Sequence, residues 1–226
     1  MQANYQLGAE IGCGSFGKVY KATLNKKPVA AKVLHDFLFH CQDRRTSVDK
    51  FQEECRILQQ LKHKNVVELV EFIISHSSPP ILFTELLACD LGKYYQIQRN
   101  KVPFPEIVSI MLDVAEGLAY LHYDCNPPIV HRDLASKNVL LTEDKQAKIA
   151  DLGLAKFFSR DQKMLASPVP GTPTYAAPET YFPNWSSPKV EYSIKIDIFS
   201  FGVLMMELIN GRYPKIEPER AFDSGM

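Results

Sequence analysis

The sequence has 226 residues, 26 Lys plus Arg against 26 Asp plus Glu, and 46% hydrophobic side chains. Zero net charge excludes a broad electrostatic surface for nucleic acid or an anionic membrane, so any phosphate site must be local. The apolar content excludes a disordered chain and is enough for one or two buried cores, hence a two-lobed domain or a close pair.

From Tyr5 to about Leu34, turn glycines alternate with short β-prone runs, Val19-Tyr20 and Val29-Ala30-Ala31, which predicts a twisted antiparallel sheet. Between Ser47 and Leu61, the residues Val48, Phe51, Cys55, Leu58 and Leu61 recur at helical spacing and predict one amphipathic helix. Strands near Val66 to Ile74 and Ile81 to Leu86 complete a small β-rich lobe, and Leu87 to Gly92 reads as a hinge. From Pro105 to His122, the residues Ile107, Val108, Met111, Val114, Leu118 and Leu121 form an apolar stripe that opens a mainly helical second lobe. The proline-rich stretch Pro168 to Pro188 is expected as an exposed irregular segment, and a further helix starts near Asp197.

The five cysteines, Cys13, Cys41, Cys55, Cys89 and Cys125, lie apart without the paired spacing of a zinc site, and reduced thiols in the cytosol fit them best. The most apolar stretch, Ile198 to Met206, is far shorter than the roughly 20 residues a bilayer needs. No signal peptide is expected before Tyr5.

Gly12, Gly14 and Gly17 form G-x-G-x-x-G, a pattern that brings backbone N–H groups close to phosphate oxygens. A dinucleotide fold is the rival reading, but Val19 and Tyr20 continue into a strand and not into a helix. Lys32 follows a β-branched strand from which a cation could reach phosphates, and Glu54 in the amphipathic helix could pair with it. Singly, each reads equally well as a surface charge. The run Ile129-Val130-His131-Arg132-Asp133-Leu134-Ala135-Ser136-Lys137-Asn138 carries more information. It resembles the catalytic loop H-R-D-x-x-x-x-N of the eukaryotic protein kinase family, with Asp151-Leu152-Gly153 where that family has D-F-G and Ala177-Pro178-Glu179 as A-P-E.

The resemblance implies an α+β two-lobed protein kinase fold: an ATP-binding lobe over 1–86, a hinge over 87–92 and a catalytic lobe over 93–226 that lacks its last helices. By the same resemblance, Asp133 orients the substrate hydroxyl, with Arg132 and Lys137 beside it. Lys32, held by Glu54, places the phosphates of ATP, and Asn138 and Asp151 hold Mg²⁺. Ile11, Val19, Ala30 and Leu140 are expected to sandwich the adenine, with Thr84 at the back of the pocket and Glu85 in the nucleotide set beside the three glycines. Leu58, Leu69, Leu152 and His131 match the apolar column that joins the lobes, with Asp197 beneath.

The resemblance implies a protein substrate, and Gly171-Thr172-Pro173-Thr174-Tyr175 is similar to the G-T-x-x-Y of serine/threonine kinases, in which the threonine buttresses the catalytic aspartate. Ala135 and Lys137 depart from that pattern, since the basic residue stands where tyrosine kinases place theirs. A serine/threonine kinase of the tyrosine-kinase-like group reconciles both features, while dual or tyrosine specificity stays open. Ser159 and Ser167 are candidate phosphosites for an upstream kinase or for autophosphorylation. Expected placement is cytoplasmic. The family continues through several helices beyond the point reached at Met226, so Glu179 is expected as an unpaired, partly buried charge, and apolar surface on the helix from Ile198 to Ile209 as exposed. A truncated nucleotide-binding module without turnover is the competing reading.

Overall fold

A computed structural model gives the fold and describes residues 4–14, 16–40, 44–75, 77–98, 101–158, 164–166, 171–180 and 190–212. The first three strands, β1 (Tyr5–Cys13), β2 (Gly17–Leu24) and β3 (Lys27–Leu34), run antiparallel. Between β2 and β3, Asn25 and Lys26 both take positive φ (49° and 67°), the two-residue turn whose twist suits a hairpin. Leu24 therefore pairs with Lys27, and Lys32 falls opposite Val19.

After β3 come a short helix α1 (Asp36–His40) and the longer α2 (Arg44–Gln59). On α2, Phe51, Cys55 and Leu58 are buried with Ile57 in the main core, and Glu54 lies on the same side, 4% exposed. Strands β4 (Leu69–Ile73) and β5 (Ile81–Glu85) complete a five-stranded sheet in the order β1-β2-β3-β5-β4. The expected hinge segment contains β6 (Cys89–Asp90) and the start of α3 (Leu91–Ile97), whose N-terminus is capped by Asp90.

The second lobe is built on α4 (Phe104–Ala119), which continues into a wide turn over Tyr120–Asp124. Its core face is Ile107, Ile110, Met111, Val114 and Leu118. Val108, expected in that stripe, is 50% exposed and shares the outer face with Phe104 and Leu112, because the i, i+3, i+4 pattern from Ile107 runs through Ile110 and Met111. Short strands β7 (Ile129–Val130), β8 (Val139–Leu141), β9 (Ala147–Ile149) and β10 (Lys156–Phe157) frame the loops that carry the motif residues. Here β8 pairs with β6 and β9, and β10 with β7. β11 (Met164–Ala166) pairs with β12 (Val190–Tyr192), and α5 (Lys195–Asn210) ends on Gly211 in the left-handed conformation, φ 61°. Among the described residues no helix is long and apolar enough to cross a membrane.

Two expectations about charge and exposure resolve differently. Glu179 sits on a short helical turn, Pro178–Thr180, and is exposed, so water solvates its carboxylate and the expected burial cost does not arise. On α5, Ile198, Phe199, Met206 and Ile209 are 42% to 59% exposed, which is the apolar face the sequence suggests. Ser159 and Ser167 lie outside the described residues.

Of the three glycines near the first turn, Gly17 is the one that backbone packing demands. A Cβ there would stand 2.3 Å from the Val33 carbonyl oxygen, whereas one at Gly12 would meet only Val19 side-chain atoms at 3.8 Å or more. Gly17→Ala is therefore expected to cost about 1–3 kcal/mol through forced backbone movement. Gly12→Ala should change stability by less than about 0.5 kcal/mol, or raise it slightly by restricting the unfolded chain. Urea unfolding of the two variants checks the contrast, which fails if both behave alike.

Candidate active site

A cleft of about 1110 Å³ lies between the sheet and the helical lobe. Its walls include Ile11, Gly12, Gly14, Gly17, Val19, Ala30, Lys32, Glu54, Thr84, Glu85, Asp133, Lys137, Asn138, Leu140 and Asp151, every candidate residue except Arg132. Apolar Val19, Ala30 and Leu140 line the same space as the charged groups, a mixture suited to a ligand with an apolar ring and a charged tail.

Strand β3 delivers Lys32, α2 delivers Glu54, and the loop after β9 delivers Asp151. Lys32 Nζ donates to Glu54 Oε1 at 2.8 Å, to Glu54 Oε2 at 2.9 Å and to Asp151 Oδ1 at 2.7 Å. Burial opposes the charge of Lys32, but the Asp151 and Glu54 carboxylates outweigh it and hold its pKa above the ordinary lysine value. Burial raises the pKa of Glu54, with the Asp151 charge adding to it and Lys32 only partly offsetting the effect. The Lys32 ammonium holds Asp151 below its ordinary value, even though that side chain is 47% exposed, because its exposure is into the cleft. Asp151 itself has φ 57°, a left-handed conformation that is strained for a residue with a Cβ. Gly153 follows, where a Cβ would stand 3.2 Å from Glu54 Oε2 and 3.4 Å from Lys32 Nζ.

Asp133 is 9% exposed and both of its oxygens are engaged. Oδ1 accepts from the Thr172 backbone N–H at 2.7 Å and from Thr172 Oγ1 at 2.6 Å. Oδ2 accepts from Asn138 Nδ2 at 3.0 Å and has Lys137 Nζ at 3.5 Å. Asn138 Nδ2 also donates to the Asp133 carbonyl at 2.7 Å, which fixes the amide orientation and leaves Oδ1 as its available acceptor. That amide oxygen and the second oxygen of Asp151 are hard donors in one cleft, a set that fits Mg²⁺ sharing its coordination with phosphate and water.

Beneath the loop, Asp197 is fully buried at the start of α5. Its Oδ2 accepts from His122 Nε2 and from the His131 backbone N–H, both at 2.8 Å, and its Oδ1 accepts from the Arg132 N–H at 2.8 Å. These bonds hold Arg132 at φ 70°. The Arg132 guanidinium, outside the cleft walls, donates to the Leu154 carbonyl at 3.3 Å. Leu58, Leu152 and His131 are buried, and Leu69 packs against the same core.

Three groupings were not foreseen from the sequence. Glu85 lines the cleft, but its carboxylate accepts from Lys148 Nζ at 2.7 and 2.9 Å and its N–H donates to the Glu68 carbonyl. Glu207 on α5 accepts from Tyr175 Oη at 2.5 Å and from Ser136 Oγ at 3.1 Å, joining the segment after Thr172 to the loop after Asp133, and burial raises its pKa. His35 contacts the glycine-rich turn at Gly14. The one sequence signal for Glu207 is a carboxylate that closes the apolar run from Ile198 to Met206. The other two carry none.

The profile of the family described as protein tyrosine and serine/threonine kinase matches residues 5–223. The chain is 37% identical over 215 residues to MDIS1-interacting receptor like kinase 1 of Arabidopsis thaliana, an alignment covering 92% of this chain and 20% of that protein. It is 35% identical over 204 residues to the LRR receptor-like serine/threonine-protein kinase FEI 2 of the same plant, covering 90% of this chain and 33% of that protein. Proline-rich receptor-like protein kinase PERK7, also from Arabidopsis thaliana, is 37% identical over 207 residues, 90% of this chain and 28% of its own length. The chain thus spans about a fifth to a third of the length of these relatives. With motif residues, cleft and profile in agreement over most of its length, the chain belongs to the protein tyrosine and serine/threonine kinase family.

Proposed function

We propose that this chain is a serine/threonine kinase domain that transfers the γ-phosphoryl group of ATP to a hydroxyl of a protein substrate, with Mg²⁺, in the cytoplasm. The observation that carries the reading is the convergence of Lys32, Glu54 and Asp151 in one cleft that Asp133 and Asn138 also line. The serine/threonine assignment draws on the two hydrogen bonds that Thr172 donates to Asp133 and on the names of the relatives. Free thiols at Cys13, Cys55, Cys89 and Cys125 suit a reducing compartment.

Phosphoryl transfer has a loose transition state, so positioning and charge neutralisation do most of the catalysis. Thr172 and Asn138 fix the Asp133 carboxylate from two sides, which leaves it one approach along which to accept a hydrogen bond from the acceptor hydroxyl. Lys137, 59% exposed, places a positive charge beside Asp133, where it would help neutralise the oxygens of the transferring phosphoryl group. Lys32 spends its three N–H groups on two Glu54 oxygens and one of Asp151. A phosphate oxygen entering the cleft takes over the Asp151 share, freeing that carboxylate for the metal while Glu54 keeps the ammonium in place. Mg²⁺, when bound, supplies charge neutralisation to the phosphates.

Transfer of radiolabelled phosphate from ATP to a generic protein substrate is the direct test. Asp151→Asn is expected to lower the rate by about 100-fold or more, the scale of removing one electrostatic stabiliser. Equal incorporation by both proteins would end the kinase reading. Phosphoamino-acid analysis of the product should yield phosphoserine or phosphothreonine, and phosphotyrosine alone would overturn the serine/threonine part.

The opposite shifts of the two carboxylates on Lys32 set a pH dependence. Glu54 is raised and Asp151 lowered, so on acidification Glu54 takes up its proton first and lets go of the ammonium while Asp151 is still ionised. The acid limb of kcat/KM is expected above the ordinary glutamate value of about 4.3. In Glu54→Gln, a slower enzyme, that limb should move to lower pH, and an unmoved limb would assign it to another group.

A further inference from the structure

The turn between β1 and β2 is closed by the Gly14 N–H, which donates to the Gly17 carbonyl at 2.9 Å. What remains to be set is the direction of the Gly14 carbonyl. His35, the residue between β3 and α1, places its Nε2 2.9 Å from that oxygen. A carbonyl only accepts, so Nε2 carries the hydrogen and donates it. The ring is itself held: Phe37 stacks on it with centroids 5.1 Å apart and an interplanar angle of 21°, and the His35 backbone N–H donates to the Phe16 carbonyl at 3.0 Å. On the same turn, the Phe16 ring lies 5.6 Å from the Lys50 ammonium of α2, one helical turn before Glu54.

Gly14, Phe16 and Gly17 line the cleft, whereas His35 is not among its walls. The imidazole thus holds the Gly14 oxygen from outside the cavity. A carbonyl oxygen turned inward would repel phosphate, while N–H groups turned inward attract it. We propose that His35 is a positioning residue for nucleotide phosphates: by holding the Gly14 carbonyl outward, it prearranges the glycine-rich turn before ATP arrives. This role rests on the cleft being the ATP site. It is specific to the phosphates, because His35 acts on the turn at Gly14 and is not among the cleft walls, where Val19, Ala30 and Leu140 are expected to take the adenine.

Titrating the full chain and its variants with a fluorescent ATP analogue, and separately with adenosine, tests the role, with thermal unfolding to establish that each variant is folded. His35→Ala is expected to bind the ATP analogue about 3-fold to 10-fold more weakly, the range one hydrogen bond carries. Adenosine affinity should stay within about two-fold, as for a substitution that touches no part of its site. The KM for ATP should rise with the analogue Kd while kcat is little changed. His35→Gln should restore binding, since its side-chain N–H stands the same number of bonds from Cβ. Wild-type binding with His35→Ala within two-fold for the ATP analogue would overturn the positioning role of His35 alone. Equal losses for the analogue and adenosine, or no rescue by Gln, would reduce His35 to general packing. A wild-type chain that binds neither ligand would overturn the ATP reading together with the role of His35.

Discussion

One ammonium group holds the site together. Lys32 is bonded to Glu54, 22 residues away, and to Asp151, 119 residues away, so one side chain fixes a strand, a helix and a loop relative to one another. Burying charge is costly unless each ion has its partners, and removing one member of such a set leaves the others uncompensated. Here the cost is met within the trio, whose net charge of −1 faces the cleft. On the proposed function, that residual negative charge is what the magnesium of a bound nucleotide would neutralise.

A second buried charge does the corresponding work below. Asp197 accepts three hydrogen bonds, one from the His122 ring and two from consecutive backbone N–H groups of the loop that carries Asp133. Those bonds hold Arg132 in a left-handed conformation that a free chain would leave, and Asp151 is held in another. Both strained residues adjoin chemistry, Arg132 beside Asp133 and Asp151 in the trio itself, which is where strain persists only if surrounding contacts over-determine it. The strain therefore has a local account: carboxylate and backbone bonds below, the ammonium above.

Much of this was legible in the sequence because the motif residues lie in short runs with fixed spacing. Lys32 after a β-branched strand and Glu54 on an amphipathic helix could be placed on their elements by periodicity, and the long helix α4 by its apolar repeat. The misses have a common cause. Val108 belongs to α4 by any local measure, but which residues of an apolar helix turn outward is set by the lobe packed against it. Glu179 was read as partly buried from what usually surrounds its motif, whereas burial depends on the neighbours actually present. Glu85 with Lys148, Glu207 with Tyr175 and Ser136, and His35 with Gly14 are pairings across 21 to 71 residues, and no spacing rule connects such partners.

The two charged clusters are joined by a short path of contacts. His131, whose N–H rests on Asp197, donates from Nε2 to the Ala150 carbonyl at 2.9 Å. Ala150 in turn donates to the Asn138 carbonyl at 2.8 Å and is covalently followed by Asp151, which meets Lys32. From α5 to α2 the path runs Asp197, His131, Ala150, Asp151, Lys32, Glu54, with a hydrogen bond, an ion pair or a peptide bond at every step. Buried rungs of this kind tolerate little displacement, because each partner lost would be an unsatisfied polar group in a region that water does not reach. A shift of α2 that withdrew Glu54 would thus fall first on Lys32 and Asp151, the one exposed joint of the path, and spare the buried bonds around Asp197. The Lys32–Asp151 contact is the exposed joint of this path, and the bonds around Asp197 are its buried part.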